Sequence, residues 1–395
     1  MEMSRDSADQ DKQFVCQAKP LQLQIVHRIS QKNLAMKRTL PLLTALLLAP
    51  LAALHGDETT PKKLSTEEAQ RFRAAAEYSR STHGVSVLVM RRGEIIFEDY
   101  APGWQEKPHD LASGTKSFAG VMAVCAVQDG LLKLDEKVSD TVTEWKTDPR
   151  KSQVTIRQLL SLCSGIEGGE NGAPPMYRRA VVLAEATADP GTRFSYGPIP
   201  FQCFGELMRR KLEPRNESVE AYLKRRILDP IGVKAGAWAK DREGNLRIPS
   251  GAALTAREWV KFGEFIRLGG KWQGKELIPE ALLKECFKPA TAKPNYGMTF
   301  WLIGQGIEGT EAGDGVQLPA KARRVIEERK QLGFQPPKDT VAAMGKGKQR
   351  CYIIPSQELV IIRLGDSVGQ EFSDTVFLAR LLGPSASKTK EPASK

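Results

Sequence analysis

Histidine is scarce in this chain, with four in 395 residues, at positions 27, 55, 83 and 109. That argues against most zinc sites, which draw on imidazole together with cysteine or carboxylate, and against most mechanisms whose base is a histidine. It also disposes of a decoy. Gly365-Asp366-Ser367-Val368-Gly369 has the G-x-S-x-G form and lies between a strand-like and a helix-like run. A nucleophile elbow of that kind needs a histidine downstream, and none follows Ser367. Cysteine is sparse too, six in all, without the spacing of a disulfide framework or a metal-ligand set. The formal charge of +11 is scattered among acids with no aromatic-basic stripe, so no nucleic-acid partner is expected. No metal or cofactor is expected either.

Long apolar runs are also lacking, with one exception. Met36-Lys37-Arg38 precedes an apolar stretch from Leu40 to Leu54 and small residues near Gly56. This reads as a secretory signal over residues 36–56, too short for a stable membrane span. Residues 1–35 are then a disordered leader or a mis-assigned start, and the mature protein is expected to be periplasmic or secreted. Cys125, Cys163, Cys203, Cys286 and Cys351 would remain, an odd number that leaves at least one unpaired or bonded to another chain.

What is present is Ser113-Gly114-Thr115-Lys116, a serine and a lysine one helical turn apart. The same S-x-x-K spacing recurs in the polar tail at Ser385 to Lys388 and Ser387 to Lys390, so context decides. Phe118 to Val127 are apolar on every face, the pattern of a helix buried on all sides, ending at Asp129-Gly130. Ser113 alone reads equally well as an N-cap. Lys116 argues for more, because a cation in a first helical turn sits at the wrong end of the macrodipole.

Along the chain, residues 65–79 read as a helix, and Val85 to Met90 with Glu94 to Phe97 alternate about Arg91-Arg92-Gly93 as a hairpin. Cys351 to Ile354 and Leu359 to Leu364 form a second hairpin about Pro355-Ser356-Gln357-Glu358, followed by a terminal helix. Helices are expected between them at 113–129, 155–163, 201–212, 218–228, 255–268 and 279–286. The order predicts an α+β domain over 65–383: one antiparallel sheet built from both ends of the chain, flanked by helices, with a mostly helical lobe, roughly 130–290, inserted. A cleft between sheet and lobe is the natural binding site. Residues 304–340 read as a surface insertion, and 384–395 as a disordered tail.

From about residue 65 to 383 the chain resembles the beta-lactamase-related serine hydrolases, the group of class C beta-lactamases, D-alanyl-D-alanine peptidases and related esterases. The resemblance rests on Ser113-Gly114-Thr115-Lys116, Gly130-Leu131-Leu132-Lys133-Leu134-Asp135, Thr155 to Ser161 with Ser164-Gly165-Ile166, Pro190 to Tyr196, Tyr296 to Trp301 and the final hairpin. It implies the beta-lactamase/transpeptidase-like fold and acyl transfer through a covalent ester on Ser113. Lys116 would be the base, and Tyr196 would pass the proton to the leaving group. The backbone amides of Ser113 and Lys346 would hold the oxyanion. Gly345, Gly347 and Lys348 would line the substrate edge.

Each residue has a plainer alternative. Tyr196 could be a bonded core tyrosine, the two glycines could mark a bulge, and Lys348-Gln349-Arg350 could be a solvated strand start. The family's Tyr-x-Asn motif falls on Tyr196-Gly197-Pro198, where proline offers no amide donor. Its Lys-Thr-Gly element falls on Ala343-Met344-Gly345, which lacks the cation and the hydroxyl that relatives use for a substrate carboxylate. These departures favour a small ester or amide as substrate over the beta-lactamase or D-Ala-D-Ala carboxypeptidase reading. A binding protein that keeps the fold without catalysis is the remaining reading.

Overall fold

The computed structural model describes residues 64–170, 172–305, 323, 327–328, 330–366 and 372–384. The leader, the signal segment, Ser367 and the S-x-x-K copies of the tail lie outside the described residues.

Helix α1 (Thr66–Ser81) starts at a capping box in which Ser65 and Glu68 satisfy each other's backbone amides. It leads into β1 (Gly84–Arg91) and β2 (Glu94–Tyr100), joined at Arg92-Gly93. Strand β3 (His109–Asp110) precedes a 3-10 turn, Ala112–Thr115, that runs into α2 (Lys116–Gln128). The lobe then contributes α3 (Ile156–Leu160), α4 (Tyr177–Leu183), α5 (Ile199–Leu212) and α6 (Val219–Leu223), the last continuing as a π-helical turn. Short strands β4 (Ala237–Trp238) and β5 (Ala252–Leu254) pair with β3 as a small sheet in the order β3-β5-β4. Helix α7 (Ala256–Arg267), the two-residue strands β6 (Lys271–Trp272) and β7 (Lys275–Glu276), and α8 (Glu280–Leu283) follow. The chain returns through β8 (Val341–Gly345), β9 (Gln349–Ile354), β10 (Leu359–Gly365) and α9 (Asp374–Leu382).

The main sheet has the order β2-β1-β10-β9-β8 and is antiparallel throughout. The late hairpin thus inserts β10 beside β1, so both ends of the chain build one sheet. Side-chain alternation divides it into two faces. Val87, Val89, Tyr352 and Ile361 pack under α1 and α9, while Leu88, Met90, Cys351, Ile353 and Ile362 join the larger core shared with the helical lobe. Strands β9 and β10 are buried on both faces, which is why they read as continuous apolar runs rather than as alternation.

The structure differs from the sequence reading in local detail. The helix expected over 113–129 begins as a 3-10 turn, and Ser113 caps nothing: neither the turn nor α2 has a side-chain cap. Helix α4 and the small sheet were not expected. The helix expected to run through 163 ends at Leu160, and the one expected through 286 is α-helical to Leu283 and continues as a 3-10 turn to Phe287. All five described cysteines are free and buried.

Helix α7 lies so close to the sheet that a β-carbon on Gly263 would come 2.5 Å from Val360 Cγ1 and 2.8 Å from Cys351 Sγ. On an exposed helix Gly→Ala gains about 0.5–1 kcal/mol. Here overpacking reverses the sign: Gly263→Ala is expected to destabilise by about 1–3 kcal/mol, read as a lower denaturation midpoint with an unchanged m-value.

Candidate active site

Three segments meet at Ser113. The first is the turn that carries it. Leu111 N–H donates to Ala252 O of β5 at 2.9 Å, and Ala112 is held in the left-handed region (φ 47°) with its N–H on Asp110 Oδ1 at 2.8 Å. A non-glycine residue in that region is strained, and here the strain adjoins the nucleophile candidate. Gly114 is pressed against the Trp259 ring, whose nearest atom would lie 3.0 Å from an added β-carbon.

Lys116 begins α2 and is 4% exposed. Its amine donates to Ser113 Oγ at 3.0 Å and to the Pro249 carbonyl at 3.0 Å. The rings of Tyr196 and Phe201 flank it at 5.1 and 5.3 Å. No carboxylate pairs with it among the described residues. Burial therefore drives the amine toward its neutral form and pushes its pKa down to about 7. The carbonyl that receives it is delivered by the segment entering β5, whose Ala252 N–H bonds Thr115 Oγ1 at 3.2 Å.

The second segment fixes Tyr196. Ser195 N–H donates to Leu162 O at 2.9 Å, Ser195 Oγ accepts from Gly168 N–H at 2.9 Å, and Ile199 N–H donates to Gly168 O at 2.9 Å. A β-carbon at Gly168 would meet the Tyr196 carbonyl carbon and oxygen at 2.4 Å, so only glycine allows this approach. The phenol lies among Trp301 and Tyr296, ring centroids at 6.0 and 6.4 Å. Burial raises the Tyr196 pKa, and Ser113 and Arg350 offset part of the rise. At neutral pH Tyr196 keeps its proton and Lys116 shares in the neutral form. Pro198, in the position of the family's asparagine, caps α5 without donating a side-chain bond.

The third segment is the end of β8. Trp301 exchanges backbone bonds with Ala342 at 2.8 and 2.9 Å, so Ala342 faces the outer edge while Val341, Ala343 and Gly345 face β9. In a trans peptide N–H and C=O point in opposite directions. Gly345 O turns toward β9 and takes a bond from Arg350, so the Lys346 N–H points away from β9. Gly345 itself packs on the Ser113 turn: an added β-carbon would lie 2.0 Å from Leu111 O and 3.1 Å from Gly114 N.

Ser113, Lys116 and Tyr196 are thus brought together, with the end of β8 against the Ser113 turn. Gly345 is required by that backbone contact. Gly347 (φ 76°) and Lys348 (φ 63°) make the tight turn into β9, the former as a glycine must and the latter with strain. Lys348 acts electrostatically on Asp374 at the start of α9. The Lys348-Gln349-Arg350 run is not a solvated strand start beyond its first residue, for Gln349 and Arg350 are buried. Sequence reasoning missed Pro249, which acts through a backbone carbonyl and leaves no motif, as well as Phe201 and Asp110. The Asp-x-x-Ser spacing before the helix was the available signal for Asp110.

The Beta-lactamase family model matches residues 67–364. Among curated proteins, Protein flp of Staphylococcus aureus strain MW2 is 25% identical over 171 residues, 38% of this chain and 34% of that protein. The chain thus spans about a third of the length of the curated relatives it matches. A family VIII carboxylesterase superposes with a TM-score of 0.60 at 17% identity, covering 82% of this chain and 96% of the other. A penicillin-binding protein homologue from Caulobacter crescentus superposes with a TM-score of 0.59 at 16% identity, covering 79% and 96%. At such identities these two structures establish the fold alone. With the family model spanning most of the chain and the antiparallel sheet built from early and late strands, this protein belongs to the beta-lactamase family.

Proposed function

We propose that this protein is a serine hydrolase that cleaves a small ester, or an amide, through an acyl-enzyme on Ser113. The observation that carries the reading is the Lys116 amine, 3.0 Å from Ser113 Oγ, buried, and without a carboxylate among the described residues to hold its proton. A neutral lysine lone pair is the base such a serine needs.

Ser113 Oγ attacks the carbonyl carbon as its proton passes to Lys116 Nζ. The carbonyl oxygen becomes an oxyanion held by the Ser113 and Lys346 amides, a pair that contributes several kcal/mol of barrier reduction. Tyr196, protonated, donates to the departing oxygen and recovers a proton from Lys116 as the C–O bond breaks. Water then attacks the acyl-enzyme by the same transfers in reverse and frees the acid. Gly345, Gly347 and Lys348 border the substrate in this reading. Pro198, which offers no amide donor, and Ala343-Met344, which offer neither cation nor hydroxyl for a carboxylate, support an ester over a beta-lactam. The apolar segment after Lys37-Arg38 supports export to the periplasm or beyond.

The first test is intact-mass analysis after exposure to a fluorophosphonate and, separately, to a penicillin. A single adduct on Ser113 with the first and little with the second is expected. No adduct with either in folded protein would reduce the chain to a binding protein, and a penicillin adduct would favour the beta-lactamase or peptidase reading.

The second is the pH profile. Because protonated Lys116 cannot accept a proton, kcat/KM should fall about tenfold per pH unit below about 7. A flat profile from pH 5 to 8 would place the base elsewhere.

The third separates stability from activity. Unfolded Lys116 keeps its proton up to about 10.5 and folded Lys116 only to about 7, so its contribution to stability is in place above about 10.5 and is lost as pH falls to about 7. Lys116→Met should therefore abolish turnover and be more stable than the parent below pH 7, by up to about 5 kcal/mol. The difference should shrink as pH rises through the window. Surviving activity would contradict the assigned base.

A further inference from the structure

Two arginines lie side by side beneath the turn that carries Lys346. Arg350 of β9 and Arg363 of β10 are cross-strand neighbours, 6% and 0% exposed. Arg350 is anchored on Asp374, Nε to Oδ1 at 2.6 Å, and its Nη1 donates to Gly345 O at 3.2 Å and Gln349 O at 2.9 Å. Arg363 has no carboxylate at ion-pair distance among the described residues. Its Nη1 donates to Gly347 O at 3.3 Å and Lys348 O at 2.9 Å, its Nη2 donates to Thr82 O at 2.8 Å, and its guanidinium stacks on Phe372 at 4.1 Å.

The carbonyls of residues 345, 347, 348 and 349 are thereby drawn to one side of the turn by two guanidiniums. The Lys346 N–H, opposite the Gly345 carbonyl across its trans peptide, points away from the Arg350 guanidinium. A buried arginine without a carboxylate at ion-pair distance is costly. What it does is hold a strained turn, with Lys348 at φ 63°, to the end of α1 through Thr82.

We infer that Arg363, with Arg350 beside it, is a positioning residue for the oxyanion site: it fixes the 346–348 turn so that the Lys346 N–H is aimed at the substrate oxygen before the substrate arrives. The inference rests on the serine hydrolase reading above. Preorganisation of this kind lowers the barrier because the donor needs no reorientation as charge develops, and it leaves ground-state binding nearly unchanged.

The test compares Arg363→Lys, which keeps the charge and loses the fork, with Gly365→Ala, which changes no charge. The β-carbon of the latter would come 2.2 Å from Arg363 Nη1 and 2.5 Å from Gly347 O, displacing the brace. For each variant, kcat and KM for p-nitrophenyl butyrate and the inhibition constant of phenylboronic acid, a tetrahedral mimic on Ser113, are measured with the melting temperature. In folded protein, kcat should fall about 10-fold or more and boronate inhibition should weaken by a similar factor, while KM stays within about 2-fold. Folded variants that keep kcat and boronate affinity within about 2-fold of the parent would overturn the inference. So would a loss of kcat that leaves boronate affinity unchanged, since a purely structural brace would act that way. A parent protein that reacts with no fluorophosphonate would instead sink the hydrolase reading itself.

Discussion

Everything at the site depends on keeping one amine out of water with no counter-ion beside it among the described residues. Lys116 is buried by helix α2, by the rings of Tyr196 and Phe201 and by the segment that offers the Pro249 carbonyl. A carboxylate in that space would hold the proton and leave Ser113 an ordinary hydroxyl. A dipolar carbonyl orients the amine while stabilising its charge far less than an ion would. The rest of the architecture can be understood as what is needed to build that environment and to set Ser113 beside it.

The sheet supplies the frame. Because β10 inserts beside β1, the late hairpin is fixed by the earliest strands, and the end of β8 is brought against the turn before Ser113. The small sheet of β3, β5 and β4 does a second job: it grips Leu111 on one side of the serine and presents Pro249 on the other. Segments from three distant parts of the chain thus place one hydroxyl, one amine and one phenol. The lobe contributes Tyr196 through contacts that tolerate only glycine at position 168.

Much of this was legible in the sequence, for reasons that can be stated. The hairpins showed because apolar runs were bounded by Arg92-Gly93 and Pro355 to Glu358, and α2 showed because every face from Phe118 to Val127 is apolar. Ser113 and Lys116 showed because that apolar setting separated them from the copies in the tail. The acceptor for Lys116 was hidden, since any residue can offer a carbonyl and only the fold chooses which. Arg363 was hidden inside a run read as an apolar strand, with partners at Gly347, Lys348 and Thr82 that no spacing rule connects. Helix α4 was missed because it is short and the exposed Val182 and Leu183 blur the pattern set by buried Tyr177, Ala180 and Val181.

The central claim is that Lys116 is neutral in a substantial fraction of molecules at neutral pH. The most direct measurement is NMR titration of the protein carrying lysine labelled at Cε, with Lys116→Met used to assign the resonance. The account predicts one lysine signal that titrates near 7, well apart from the others. A Lys116 signal that shows a charged amine up to about pH 10 would contradict it.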